Sequence, residues 1–264
     1  MTIRKTIEEI ANEVHACYNQ ALSCPDLISL ATSEGIALAP GHYGEKFHGR
    51  IEYHKRVNKF ILYHPHTSSG FIAGRTRFSI GHELGHYFIP WHYEMLLSGK
   101  MHNSLSGFIC EDQLEREADE FASILLIPTT SLIQRLNQEG FMTLQKILDL
   151  AIYFQTSATC AAIRYAKVTH EACAAVLSNP NGTIYYIPSG EAALNGFGRL
   201  FNKNIPIGSA TEGAHQNPGS REIHTLETDA ETWGFEGRQH TKVWEESFAL
   251  GYTGLALTLL AFET

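Results

Sequence analysis

The 264-residue chain has 20 Lys and Arg against 28 Asp and Glu, a formal net charge of −8, and is 44% hydrophobic and 18% charged. This is the composition of an ordinary globular protein. The negative balance excludes a global positive field that would recruit nucleic acid or an anionic membrane. Five irregularly spaced cysteines, with no N-terminal targeting pattern, predict reduced thiols in a cytoplasmic protein. The apolar run from Leu255 to Phe262 is too short to span a bilayer.

The first part of the chain predicts helices around a few short strands, which end at Pro65. The next helix is expected to have Ser79 as its N-cap. It should end near Ile89, because Pro90 cannot donate a backbone hydrogen bond. Before this helix the predicted elements are helices over residues 3–22 and 26–33 and strands over residues 36–39, 49–54 and 59–64.

Five residues within that helix, His82-Glu83-Leu84-Gly85-His86, carry the clearest chemical signal. His82 and His86 are one helical turn apart, so their imidazoles share one face and can hold one metal ion. Glu83 points about 100° away, where it can act on a water molecule without binding the metal. Two histidines and a general base at this spacing are typical of zinc peptidases.

The third ligand has two candidates. His92 has the spacing of the extended HExxHxxGxxH pattern, but that pattern needs a glycine where this chain has Ile89. His92 is therefore expected to be a surface histidine or one that supports a ligand from behind. Glu115 lies in a predicted helix over residues 111–128, one turn before Asp119, and small alanines there allow a close approach to the motif helix. Glu115 would complete a His2Glu zinc site, and Asp119 would accept the second ring N–H of a ligand histidine.

Two neighbours of Glu115 offer alternatives. Glu117 is a fallback ligand, although it points about 200° away from Glu115 around the helix. Cys110 lies five positions before Glu115, where its thiolate could bind zinc, exclude water and inhibit the enzyme. The other interpretation of Cys110 is an ordinary free thiol. Replacing Cys110 by Ala should raise basal proteolysis if it inhibits, and unchanged basal activity would reject that role.

The sequence pattern changes near residue 170. A hairpin turn at residues 179–182 and later alternating runs predict a small antiparallel α+β domain. The predicted helices cover residues 131–137, 144–154, 158–167 and 191–201, and the predicted strands cover residues 174–178, 183–187, 222–228, 242–249 and 255–262. The expected domains are therefore residues 1–170, with a helical extension at about 129–168, and residues 171–264.

The motifs together resemble the ImmA/IrrE family of zinc metallopeptidases. The resemblance spans roughly residues 20–168 and rests on Arg75-x-Arg77-Phe78-Ser79-x-x-His82-Glu83-Leu84-Gly85-His86, on Glu115-x-x-Ala118-Asp119-x-Phe121-Ala122, and on Leu125-Leu126-x-Pro128. It implies an α+β, zincin-like, mainly helical domain with a small sheet, with His82, His86 and Glu115 holding Zn²⁺ and Glu83 as the base. Members of the family are intracellular and cleave helix-turn-helix repressors in mobile-element control or in stress and DNA-damage responses. Several carry a C-terminal sensor-like domain, so a GAF-like domain is expected at residues 171–264.

The protein substrate and the activating ligand are expected to bind at different places on the chain. A protein substrate should bind extended beside the strand at residues 59–64. Single-stranded DNA at the basic run of residues 46–59, or a small ligand, is a candidate activator, and no membrane partner is expected. The oxyanion donor is left open among Tyr63, His64, Arg77 and His92.

Two rival functions remain. Residues 144–167 have the outline of a DNA-binding helix-turn-helix, although the second helix offers only Arg164 and Lys167 as basic groups. The other rival is a catalytically silent protein that senses a ligand through the C-terminal domain. Replacing Glu83 by Gln separates them from a peptidase, because only a peptidase would lose its function.

Overall fold

A computed structural model describes residues 5–18, 24–43, 49–65, 74–99, 113–139, 142–200, 203–236 and 240–263. They form two compact units. The N-terminal unit comprises Met1–Ser131 with Ile152–Ser157, and the C-terminal unit comprises Leu132–Ala151 with Ala158–Thr264. Within the described ranges, no helix has the length and apolar character needed to cross a bilayer.

The N-terminal unit begins with two capped helices. Thr6 and Glu9 form a capping box that satisfies free backbone N–H groups at the start of the first helix, and Asp26 caps the second. The helices are α1 (Ile7–Cys17), α2 (Leu27–Ser33), α3 (Gly74–Phe88), α4 (Pro90–Ser98) and α5 (Gln113–Leu126), and the strands are β1 (Ala37–Gly41), β2 (Arg50–His54) and β3 (Lys59–Pro65).

The three strands form one sheet in the order β1-β3-β2, with β1 parallel and β2 antiparallel to β3. Phe60, Leu62 and His64 alternate along β3 and are buried, as expected for a strand with one face on a core. Helix α3 packs against β2 and β3, and α5 packs against both α1 and α3. The motif helix therefore lies at the centre of this unit.

The remaining helices and strands are α6 (Thr129–Glu139), α7 (Leu144–Tyr153), α8 (Ala158–Val168), β4 (Cys173–Asn179), β5 (Gly182–Pro188), α9 (Gly190–Ala192), α10 (Ala210–Gln216), β6 (Ile223–Asp229), β7 (Lys242–Ala249) and β8 (Ala256–Phe262). Their five strands form an antiparallel sheet in the order β5-β4-β8-β7-β6. Helix α8 packs against β4, β5 and β8, and α10 packs against β6, β7 and β8.

An aromatic cluster forms part of the core of the C-terminal unit. The rings of Phe197 and Phe262 stack with centroids 4.1 Å apart, and Phe235 packs edge-on against both. A buried carboxylate accompanies this apolar core. Glu245 accepts hydrogen bonds from the backbone N–H and hydroxyl of Thr211 and from the indole of Trp233, which offset part of the cost of burying it.

The fold class predicted from the sequence is confirmed, since the chain is α+β with a small sheet in its first part and an antiparallel sheet in its second. The sequence missed α4 and α10. Ser79 is not the N-cap of α3, because this helix begins at Gly74 and the Ser79 hydroxyl donates to the Arg75 carbonyl inside it. The domain boundary at residue 170 and the GAF-like C-terminal domain stay predictions.

Candidate metal centre

The site forms where α3 and α5 pack closely through small residues. A Cβ added to Gly85 would lie 3.2 Å from the Cα of Ala118 and from a ring carbon of Phe121. At Gly81 it would lie 3.4 Å from the Cβ of Ala122. Larger residues at these positions would hold the two helices apart, so the predicted role of the alanines agrees with the observed packing.

Three donor side chains converge across this contact. His82 and His86 on α3 point their Nε2 atoms at each other, 3.1 Å apart. Glu115 on α5 places one carboxylate oxygen 3.2 Å from Nε2 of His82 and the other 3.4 Å from Nε2 of His86. All three residues are buried, and one donor atom from each lies within 4.8 Å of the others. Two imidazoles and a carboxylate form a donor set that zinc accepts.

The electrostatics of the cluster also favour a cation. Burial alone would lower the pKa of His82, but its hydrogen bonds to Asp119 and Glu115, with the nearby charge of Glu83, raise that pKa to about 10. Burial would raise the pKa of Glu115, but hydrogen bonds and charge from His82 and His86 lower it well below its ordinary value. The carboxylates of Glu83, Glu115 and Asp119 therefore surround His82 with negative charge, which favours a cation at this site.

Asp119 and Glu83 flank the donor set on different sides. The Oδ1 atom of Asp119 lies 2.7 Å from Nδ1 of His82, the contact expected of a carboxylate that orients a ligand histidine. Glu83 is buried, and its Oε2 accepts a hydrogen bond of 2.9 Å from the backbone N–H of Ile51 on β2. A Cβ added to Gly49 would lie 3.1 Å from Cγ of Glu83, so a small residue is needed beside this carboxylate.

His92 and Glu117, the alternative ligands, lie beside the donor set and contact each other. Nδ1 of His92 is 3.1 Å from Nδ1 of His86, and its Nε2 is 2.9 Å from Oε2 of Glu117. Trp91 and Gln113 donate to the same carboxylate. Burial would raise the pKa of Glu117, but these three hydrogen bonds outweigh it and lower that pKa. The one feature of the sequence that could have indicated this contact is Pro90, which can begin a new helix and so place His92 directly after α3.

The structure bears on three further expectations from the sequence: the substrate strand, Cys110 and the oxyanion donor. The substrate strand cannot add beside β3, because β1 and β2 already occupy both edges of that strand. Cys110 lies outside the described residues. The side chains considered as oxyanion donors make contacts within the fold: Tyr63 with Nε2 of His54, His64 with the Pro65 carbonyl, and Arg77 with the Pro25 carbonyl.

A buried helix with paired histidines and an intervening glutamate, completed by a carboxylate from a second helix, is an arrangement typical of the metallopeptidase class. Residues 39–165 match the family model Peptidase_M78, described as the IrrE N-terminal-like domain. The match confirms, for this part of the chain, the resemblance found in the motifs.

The full chain also has a structural relative. A solved structure described as a Mycobacterium tuberculosis transcriptional regulator matches with a TM-score of 0.64 and 12% identity, over 97% of this chain and 75% of that one. At this identity the match shows a shared fold only. A search of curated proteins with this sequence gives no match.

Proposed function

We propose that the protein is a zinc-dependent endopeptidase that cleaves a specific protein inside the cell. The convergence of His82, His86 and Glu115 within 4.8 Å in a buried site carries this proposal, and the match to a peptidase family supports it. Zn²⁺ held by these three residues would polarise the scissile carbonyl and acidify water at neutral pH. The four described cysteines are free thiols, consistent with the reducing cytoplasm.

Glu83 and Asp119 have separate tasks in this proposal. Glu83 is the general base, because its carboxylate follows the first histidine and lies beside the donor set. It takes a proton from the attacking water and later passes it to the leaving amine. Asp119 accepts the Nδ1–H of His82, which fixes the tautomer whose Nε2 lone pair points into the site.

The edge of β2 is the proposed substrate platform. One edge of β2 pairs with β3. On the opposite edge, Ile51 of β2 donates its backbone N–H to Glu83. No strand pairs with this outer edge among the described residues. An extended peptide could add there by backbone hydrogen bonds, with its scissile bond close to the base. This replaces the location beside β3 that the sequence suggested.

The proposed substrate is a helix-turn-helix transcriptional repressor, whose cleavage would derepress genes in a stress, DNA-damage or mobile-element response. The family resemblance supports this substrate class. Single-stranded DNA or a small ligand of the C-terminal unit remains the proposed activating signal. Incubating the enzyme with a co-encoded repressor, with and without single-stranded DNA, tests the trigger, and equal cleavage in both would reject DNA as activator.

The Glu83→Gln variant tests the peptidase proposal. We expect wild-type protein to bind one equivalent of zinc and to cleave the repressor, and Glu83→Gln to keep zinc while losing cleavage at least about 100-fold. Glu120→Gln is the matched control, because Glu120 is exposed on the same helix as Glu115. Zinc is measured by elemental analysis and cleavage by mass spectrometry. Wild-type protein without zinc, or equal cleavage by Glu83→Gln, would refute the proposal.

The DNA-binding alternative receives less support from the structure. Arg164 is buried, and α8, the second helix of the supposed helix-turn-helix, packs against β4, β5 and β8. Lys167 is the one exposed basic side chain of α8. A recognition helix needs a free face with several groups that reach bases or phosphates. The structural relative's description as a transcriptional regulator remains the observation in favour of this alternative.

A further inference from the structure

Besides the contact between His82 and Asp119, a chain of hydrogen bonds leads away from the proposed metal site through the ring of His86. Nδ1 of His86 lies 3.1 Å from Nδ1 of His92, and Nε2 of His92 lies 2.9 Å from Oε2 of Glu117. Both imidazoles are 2% exposed, so water competes little for these bonds. From the sequence, Glu117 is an alternative metal ligand and His92 an alternative ligand or oxyanion donor, whereas the structure joins the two side chains by a hydrogen bond.

The direction of each hydrogen bond follows from the acceptor at the far end. Trp91 donates its indole N–H to Oε2 of Glu117 at 2.5 Å, and an indole nitrogen is a donor only. Oε2 is therefore an acceptor, and the proton of the next bond sits on Nε2 of His92. A neutral His92 then presents an unprotonated Nδ1, which accepts from Nδ1–H of His86.

We propose that His92 and Glu117 are positioning residues that fix the tautomer and ring orientation of His86, leaving its Nε2 lone pair directed at the metal position. The inference rests on the proposed metal site and adds to it. His82 is oriented directly by the Asp119 carboxylate, whereas His86 is oriented by the Glu117 carboxylate through a second imidazole. Each ligand histidine thus has its own carboxylate, and the side chains of Asp119 and Glu117 are only 12% and 15% exposed.

The chain of hydrogen bonds from His86 through His92 to Glu117, called the relay below, should have a measurable effect on metal binding. A histidine without a partner at Nδ1 divides between two tautomers and several ring angles, and only one arrangement presents a lone pair to the metal. Removing the partner of a ligand histidine costs about 10- to 100-fold in metal affinity. Because His92 and Glu117 act in series, changing the second after the first should add little.

Four variants separate positioning from packing. His92→Phe keeps a ring but removes both hydrogen bonds. His92→Asn keeps an oxygen where Nδ1 stood, so it can still accept from His86. Glu117→Gln removes the charge at the end of the chain. Leu96→Ala is the matched control, since Leu96 is buried on α4 one turn after His92 and loses packing without touching the relay.

Zinc affinity is measured by competition with a chromophoric chelator, and the His86 tautomer of the metal-free protein by long-range ¹H–¹⁵N correlation. We expect zinc binding to weaken about 10- to 100-fold in His92→Phe and less in His92→Asn and Glu117→Gln. The double variant His92→Phe/Glu117→Gln should match His92→Phe. The Nδ1–H tautomer of His86 should dominate in the wild type and in Leu96→Ala, and should lose its dominance in His92→Phe.

Two outcomes would overturn the relay. One is an unchanged His86 tautomer and zinc affinity in His92→Phe, and the other is an equal loss of affinity in Leu96→Ala, which would assign the effect to the packing of α4. Neither affects the proposed function, which depends on zinc binding by the wild-type protein and on the loss of cleavage in Glu83→Gln. If the wild type bound no zinc, the proposed function would fail first and the relay with it.

Discussion

Gly85 and Gly81 offer a matched pair of substitutions on the helix that carries the histidines. Both are buried in α3 and face α5. Alanine is preferred over glycine inside a helix by about 0.5–1 kcal/mol, so each substitution brings the same local gain. The two positions differ in what the new methyl group would meet.

At Gly81 the added Cβ would lie 3.4 Å from the Cβ of Ala122, an ordinary contact. Gly81→Ala should therefore stabilise the protein by about 0.5–1 kcal/mol. At Gly85 the added Cβ would lie 3.2 Å from both the Cα and the carbonyl oxygen of Ala118, which are backbone atoms that move only with α5. Overpacking of this kind costs about 1–3 kcal/mol, so after the gain in helix propensity Gly85→Ala should be unchanged or destabilised by up to about 2.5 kcal/mol.

The assay is urea unfolding of each variant, followed by chelator competition for zinc. Gly85→Ala should also bind zinc more weakly, because moving α5 carries Glu115 away from His82 and His86, whereas Gly81→Ala should retain wild-type affinity. The expected difference in unfolding free energy between the variants is about 1–3 kcal/mol. Equal stability and equal zinc affinity in the two variants would refute the claim that close helix packing assembles the site.

Three further predictions concern other side chains. Asp119→Ala should weaken zinc binding about 10- to 100-fold, measured by chelator competition, while Asp119→Asn, which keeps an acceptor for His82, should lose less. Phe197→Ala should lower the stability of the C-terminal unit by about 3–5 kcal/mol in thermal unfolding, because it removes a stacked aromatic pair; a loss below about 1 kcal/mol would contradict the packing. Burial lowers the pKa of His15 below its ordinary 6.5, only partly offset by its bond to the Leu125 carbonyl, so its contribution to stability is present above pH 6.5 and lost as the pH falls towards the folded-state pKa. His15→Gln can keep that bond without titrating. Between pH 7 and pH 5 the unfolding free energy of this variant should therefore fall less steeply with decreasing pH than that of the wild type, by at most about 1.4 kcal/mol per pH unit. Identical slopes of unfolding free energy against pH would contradict this.

The sequence alone determined the local geometry of the proposed site. A separation of four residues puts His82 and His86 on one helical face, and the same separation puts Glu115 and Asp119 on one face of α5. The strands were also predictable, with β7 at the predicted residues, because alternation of apolar and polar residues is a short-range pattern. Element ends were less certain, since α3 begins five residues before the expected cap at Ser79.

Other features depend on residues far apart in the chain, and only the tertiary structure decided them. No spacing rule pairs His92 with Glu117, 25 positions later, or brings the backbone of Ile51 to Glu83, 32 positions later. Strand order is a further case. β3 lies between β1 and β2 because sheet pairing satisfies backbone groups over the whole unit, which no single segment specifies. Helical periodicity therefore supplied the proposed metal ligands, and long-range packing supplied the groups around them.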